Sequence, residues 1–185
     1  MADYKLADNP FPIGSDAPDF HLKGVDGGMH SLETYEGKLI LCVMFICNHC
    51  PYVQAYLERI VDLQARFEEK GVQLIGVNPN DVTRYPDDSF EHMVELAAEK
   101  HFNFPYLQDD TQEMAQAYHA ERTPQVFVFD AERKLRYTGG IDNGCKEPEA
   151  VTERPLEDAL NALVDGREIE KPEAHFIGCS VKWTE

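Results

Sequence analysis

Cys47-Asn48-His49-Cys50 is the segment with the most evident chemistry, two thiols three residues apart after an apolar run and directly before Pro51. Where a buried strand hands over to a helix, a sulfur at the helix cap faces unpaired backbone N–H groups and the positive end of the helix dipole. Both favour thiolate over thiol, and thiolate is the nucleophile. Placing Cys47 at that cap makes it the attacking sulfur. Cys50, on the same side of the first turn, can then close a disulfide with it. Asn48 and His49 are the tuning positions: a protonated His49 lowers the Cys47 pKa further and makes the couple more oxidising. The competing chemistry is a structural zinc half-site. Closed zinc sites need four ligands, usually as a second short-spaced Cys or His pair. Cys145 and Cys179 stand singly, so neither a metal nor a cofactor is expected.

The elements around the motif follow from periodicity. Residues 39–46 form a continuous apolar run of strand length, suited to a strand buried on both faces. A helix over 51–70 keeps Val53, Leu57, Ile60, Val61 and Phe67 on one face, with Gly71 at its end. Residues 72–77 read as a second strand closed by Asn78-Pro79-Asn80. Segment 81–121, with ten Asp/Glu and two Lys/Arg, predicts a helix over 89–100 capped by Asp88 or Ser89, a short strand over 104–107 and a helix over 111–119. Its acidic side chains read as a solvated face. Residues 126–129 and 135–138 predict a hairpin, and 155–164 a last helix with Pro155 in its first turn. At the other end, Pro10, Pro12 and Pro18 predict an extended opening, and 20–22 with 29–32 flank Asp26-Gly27-Gly28 as a small hairpin. The end of the chain, through Phe176, Val181 and Trp183, is apolar enough to dock. The result is one α/β domain over 1–185, with a mixed central sheet and helices on both faces.

Composition narrows the partners. The 185 residues carry 17 Lys+Arg against 34 Asp+Glu, a net charge of −17, and nucleic acids and anionic membranes both need a basic footprint. The longest apolar run, nine residues over 39–47, falls short of the roughly 20 that a membrane span requires. Residues 1–6 show no secretory pattern. Five cysteines, an odd count without such a signal, read as working thiols in a cytoplasmic protein rather than a disulfide scaffold. Cys42 lies within the apolar run and reads as core, and Cys145, in a polar loop, as exposed. Cys179 is either a packed small side chain or a third redox thiol near the motif.

Gly14-Ser15-Asp16-Ala17-Pro18-Asp19-Phe20, Asp26-Gly27 and Gly37-Lys38 resemble the opening of the AhpC/TSA redoxins. Cys47-Asn48-His49-Cys50-Pro51-Tyr52, Thr123-Pro124 before a strand, and the ending Gly178-Cys179-Ser180-Val181-Lys182-Trp183 resemble its peroxiredoxin-like branch with a thioredoxin-type Cys-x-x-Cys. The resemblance implies a thioredoxin-like fold with an N-terminal hairpin and with 81–121 as an acidic insertion. It also implies a cis bond at Pro124, although a proline at a strand entrance is by itself more often trans, and a Thr123 backbone that pairs with an extended substrate beside the disulfide.

Three readings follow. The leading one is a thiol–disulfide oxidoreductase cycling a Cys47–Cys50 disulfide through a mixed disulfide. Its partners would be a disulfide- or thiol-bearing protein or small molecule and a cellular reductant. The alternative is an antioxidant thiol peroxidase with Cys50 as peroxidatic cysteine. Against it, the Thr and Pro positions of the peroxiredoxin pattern hold Cys47 and Val43, and the arginine position holds Pro124. The third is a metal- or protein-binding module without turnover.

Overall fold

A computed structural model describes residues 11–185; the expectations for residues 1–6 and for Pro10 lie outside the described residues. The molecule is built on β3 (Ile40–Phe45), whose six residues are all buried. It runs parallel to β4 (Val72–Asn78) and antiparallel to β7 (Gln125–Phe129). The remaining strands extend the sheet on both sides: β1 (Leu22–Gly24), β2 (Met29–His30), β5 (Tyr106–Gln108) and β8 (Leu135–Gly139). The sheet has seven strands in the order β2-β1-β5-β4-β3-β7-β8, mixed as the alternation of strand and helix predicts. Register places Phe45 opposite Val77 on one side and Gln125 on the other. The chain leaving β3 toward Cys47 therefore emerges beside the segment just before β7.

Alternation along β3 divides the core in two. Ile40, Cys42 and Met44 face α1 (Pro51–Phe67) and α4 (Pro155–Val164), packing with Val53, Leu57, Ile60, Leu156 and Leu160. Leu41, Val43 and Phe45 face the other way, onto Phe11, Phe20, Tyr118, Phe127 and Phe129. On the first face α2 (Phe90–Glu99) contributes Met93, and on the second α3 (Glu113–Ala117) contributes Met114 and Ala115.

Boundaries shift for local reasons. β1 begins at Leu22 rather than residue 20, because the Phe20 N–H is taken by the Asp19 side chain at 2.8 Å. β5 begins at Tyr106, just past Pro105, which has no N–H to give. α1 ends at Phe67, and a single 3-10 turn carries it to Gly71, whose φ of 82° needs a residue without Cβ. Its predicted apolar face holds except that Val61 is only half-buried. Ser89 rather than Asp88 caps α2, accepting from the His92 N–H. α3 starts two residues late, after Gln112 at φ 63°, and the Asp109 carboxylate accepts from the N–H groups of Met114 and Ala115.

Segment 81–121 is not merely a solvated acidic face. It supplies α2, a sheet strand and α3, and it buries three carboxylates, Asp81 at 8%, Asp88 at 0% and Asp109 at 1% exposure. Cys145 is half-buried rather than exposed: its Sγ lies 3.6 Å from the Tyr52 carbonyl, while Arg59 holds the loop through the carbonyls of Gly144 and Cys145. Among the described residues no helix is long and apolar enough to cross a membrane.

Gly76 in β4 sits where a Cβ would lie 2.7 Å from Ile46 Cδ1 and 3.2 Å from the Tyr106 ring. Both neighbours are fully buried, and Ile46 directly precedes Cys47. Gly76→Ala is expected to destabilise the fold by about 1–3 kcal/mol through overpacking, as read by urea denaturation.

Candidate active site

Pro51 opens α1, so the residue before it, Cys50, is the helix N-cap, with φ −69° and ψ 119°. Cys47 is not at the cap. It lies three residues earlier, at the exit of β3, and Asn48 and His49 turn the chain between the two. That turn is held from below by one carboxylate. Asp88 accepts from the backbone N–H of Asn48 at 2.8 Å and of His49 at 3.1 Å, from His49 Nδ1 at 2.5 Å and from the Asn80 amide at 2.8 Å. The Asn48 side chain is fixed as well, donating to the Asp87 carbonyl and accepting from the Tyr106 hydroxyl. The His49 ring lies flat on Tyr85, with centroids 5.5 Å apart and planes 6° apart.

The two motif sulfurs are almost sealed, Cys47 at 1% and Cys50 at 0% exposure. Facing them is Thr123, itself buried, followed by a cis peptide bond to Pro124. Its hydroxyl is 3.6 Å from Cys47 Sγ, and its carbonyl accepts from the Cys50 thiol at 3.3 Å. A third sulfur completes the cluster: Cys179 Sγ lies 2.9 Å from Cys50 Sγ. It arrives on β9 (Cys179–Ser180), which pairs antiparallel with β6 (Arg122–Thr123), Thr123 opposite Cys179.

Electrostatics divide the sulfurs unequally. Cys50 is held well below the ordinary thiol range, first by the hydrogen bond from Cys47, against the cost of burial, then by the Cys179 thiol and by backbone N–H groups of Val53 and Cys179. Cys47 is pushed up, by donating to Cys50, by burial and by the negative charge of Asp88. Burial and the hydrogen bond to Cys50 also raise Cys179, against the opposing pull of Lys182 and Lys146. The expectation that Cys47 sits at the helix cap is therefore corrected: the cap position belongs to Cys50. His49 Nδ1 faces the Asp88 carboxylate, whose charge works against a Cys47 anion.

The structure brings together all of the sequence-derived site residues, Cys47, Asn48, His49, Cys50, Thr123, Pro124 and Cys179. It adds Asp88, Asn80, Tyr85 and Tyr106, which sequence reasoning missed. Asp88 was visible only as a cap candidate, and Asn80 only as part of a turn. Cys47, His49 and Asp88 also offer ligand atoms within 4.8 Å of one another, the one grouping among the described residues that could hold a metal ion. Both Asp88 oxygens are already engaged by Asn48, His49 and Asn80, so an ion would have to displace the His49–Asp88 bond. The arrangement suits sulfur exchange: three sulfurs gathered at one turn, with the Cys50 thiol held lowest in pKa.

The AhpC/TSA family matches over residues 13–138. Among solved structures, an uncharacterized conserved protein from Geobacillus kaustophilus is 39% identical with a TM-score of 0.88, covering 95% of this chain and 94% of that one. A hypothetical protein from Sinorhizobium meliloti 1021 is 31% identical with a TM-score of 0.90, covering 95% and 97%. The thiol-disulfide oxidoreductase ResA of Geobacillus thermodenitrificans is 25% identical over 126 residues, 67% of each chain. More distant thioredoxin-like structures share the same arrangement, and the fold is thioredoxin-like.

Two outcomes are expected. Asp88→Ala strands the N–H groups of Asn48 and His49 and should cost about 2–4 kcal/mol in urea unfolding, with Asp88→Asn costing less because it keeps an acceptor. In the reduced protein, thiolate absorbance near 240 nm should titrate with a midpoint below about pH 7, since a depressed pKa leaves the anion populated at neutrality. That step should vanish in Cys50→Ser and move upward in Cys47→Ala, which removes the largest stabilising donor.

Proposed function

The chain belongs to the AhpC/TSA family, and from that premise we propose that it is a thiol–disulfide oxidoreductase working through a reversible Cys47–Cys50 disulfide. The observation that carries this reading is the convergence of both thiols on the Thr123–Pro124 turn, Cys47 Sγ 3.6 Å from the Thr123 hydroxyl and Cys50 Sγ 3.3 Å from its carbonyl oxygen. The similarity to ResA, a thiol-disulfide oxidoreductase by name, supports it.

In this reading Cys50 is the exchanging sulfur and Cys47 the resolving one. The Cys50 thiolate attacks a disulfide, forms a mixed disulfide and expels one thiolate, which takes a proton from solvent. Cys47 then attacks the Cys50 sulfur, the mixed disulfide breaks, and the second thiol leaves carrying the proton that Cys47 gives up. Timing is built in. Cys47 stays protonated while it donates to the Cys50 anion, and that hold disappears once Cys50 is neutral within a mixed disulfide. Running backwards, a cellular dithiol reduces the Cys47–Cys50 bond. Because donors around Cys50 favour the reduced form, the couple should be less reducing than thioredoxin, above about −270 mV.

The peroxidase reading keeps one supporting observation, a Cys50 with strong thiolate character. It lacks the peroxiredoxin side chains at 43, 47 and 124, where this chain has Val43, Cys47 and Pro124.

The test is insulin disulfide reduction with dithiothreitol as electron source. The wild type should accelerate precipitation, and Cys47→Ser and Cys50→Ser should each lose at least about tenfold of that activity. Equal activity in all three would remove the oxidoreductase reading. Stopped-flow oxidation of the reduced protein by hydrogen peroxide should run no faster than for a free thiol; a much faster reaction would move the assignment to a peroxidase.

A further inference from the structure

Cys47 and Cys50 are sealed at 1% and 0% exposure, so direct exchange at Cys50 requires the cover over the pair to open. What seals them is the end of the chain. β9 lies along β6 with Thr123 opposite Cys179, so it occupies the backbone lane beside the motif that an extended substrate segment would use. The strap is extensive. Val181 N–H donates to the Glu121 carbonyl at 2.9 Å, and Lys182 N–H to Asn80 Oδ1 at 2.9 Å. The Lys182 carbonyl accepts from Asp81 N–H at 2.8 Å, and Thr184 N–H donates to Gln112 Oε1 at 2.9 Å. The approach is close enough that a Cβ on Gly178 would lie 2.5 Å from the Thr123 carbonyl oxygen. The strand carries a cysteine at the position facing the motif, half-buried rather than sealed, with its sulfur 2.9 Å from Cys50 Sγ. A disulfide is about 2.05 Å long, so the closure needed is under an ångström.

We infer that Cys179 is a third redox cysteine, which forms a Cys50–Cys179 disulfide and serves as the sulfur through which partners exchange with the buried pair. The inference rests on the oxidoreductase reading above and adds the route by which electrons enter. Starting from the Cys47–Cys50 disulfide, Cys179 loses its proton to solvent and its sulfur attacks Cys50 Sγ. The Cys50–Cys179 bond forms, the Cys47–Cys50 bond breaks, and its electron pair goes to Cys47, which takes up a proton. No net oxidation occurs in this step. A partner dithiol then attacks the half-exposed Cys179 sulfur. The bond to Cys50 breaks, and Cys50 leaves as the best-stabilised thiolate of the three, which makes it the faster leaving group. The second thiol of the partner attacks its own mixed disulfide with Cys179, releasing Cys179 as thiol and the partner as disulfide. Two electrons have then entered the chain. The surroundings suit this order: once Cys50 carries no charge, Lys182 and Lys146 favour the Cys179 anion unopposed by it.

The experiment treats reduced wild type, Cys47→Ser and Cys179→Ser with stoichiometric diamide and maps disulfides by tandem mass spectrometry. Cys47→Ser should give a Cys50–Cys179 crosslink as its main product, and Cys179→Ser a Cys47–Cys50 crosslink. Oxidised Cys179→Ser should then be reduced by dithiothreitol at least about tenfold more slowly than oxidised wild type. Absence of the Cys50–Cys179 crosslink in Cys47→Ser, or reduction of Cys179→Ser at the wild-type rate or faster, overturns the relay while leaving the Cys47–Cys50 couple intact. Failure of Cys179→Ser to form the Cys47–Cys50 crosslink sinks the underlying couple instead, and the relay with it.

Discussion

Three sulfurs gathered out of water can share only one negative charge, and the fold decides which of them holds it. Charge in a poorly solvated site needs donors, because burial alone drives a thiol toward its neutral form. Cys50 has them: the Cys47 and Cys179 thiols and backbone N–H groups at the start of α1 and on β9. Cys47 has the opposite setting, with Asp88 close by and its own proton committed to Cys50. Asymmetry of this kind separates a redox pair from two buried thiols. Equal sulfurs would leave neither a clear nucleophile nor a clear leaving group.

Asp88 shows how a strongly acidic chain can still make a thiolate site. At −17 the overall field opposes any new anion, but between exposed charges it is screened beyond about 8 Å at physiological salt, and the local arrangement dominates. The buried carboxylate sits under the Asn48–His49 turn, on the Cys47 side, where it fixes the backbone with two N–H bonds. It thus holds the turn that sets Cys50 at the helix cap, and its charge adds to the burial that raises the Cys47 pKa. His49 belongs to the same unit through Nδ1 and its stack on Tyr85, so this position supports the motif's shape as well as its charge.

Much of this was legible in the sequence because it is local. The apolar run over 39–46 could only be an inner strand, the 3.6-residue spacing of Val53, Leu57 and Ile60 marked α1, and Pro155 marked the start of α4. The Cys-x-x-Cys at the junction announced sulfur chemistry. The different surroundings of its two cysteines were not legible: the groups brought to them come from Thr123, Asp88 and Cys179, between 38 and 132 positions away in the chain. Pro51 did carry the needed clue, since a proline at the first helical position makes the residue before it the cap. Asp88 was hidden for another reason. Nothing in an acidic stretch marks which carboxylates fold inward, and Asp88 is identified only by the Asn48, His49 and Asn80 donors that the fold brings to it.

The C-terminal strand turns a local motif into a closed site, and its composition fits that task. Gly178 permits the approach to the Thr123 carbonyl that any side chain would block. Val181 is buried beyond it, and Lys182 is held by its backbone from Asp81, Asn80 and Gln112. Two of those anchors, Asp81 and Gln112, come from the acidic segment that also supplies Asp88, and Asn80 directly precedes it. One stretch of chain therefore both shapes the motif from below and fastens the strand that covers it. A site sealed this way gains protection of its thiolate from adventitious oxidants but loses direct access. The covering strand also brings a cysteine of its own, half-buried, with its sulfur 2.9 Å from Cys50 Sγ.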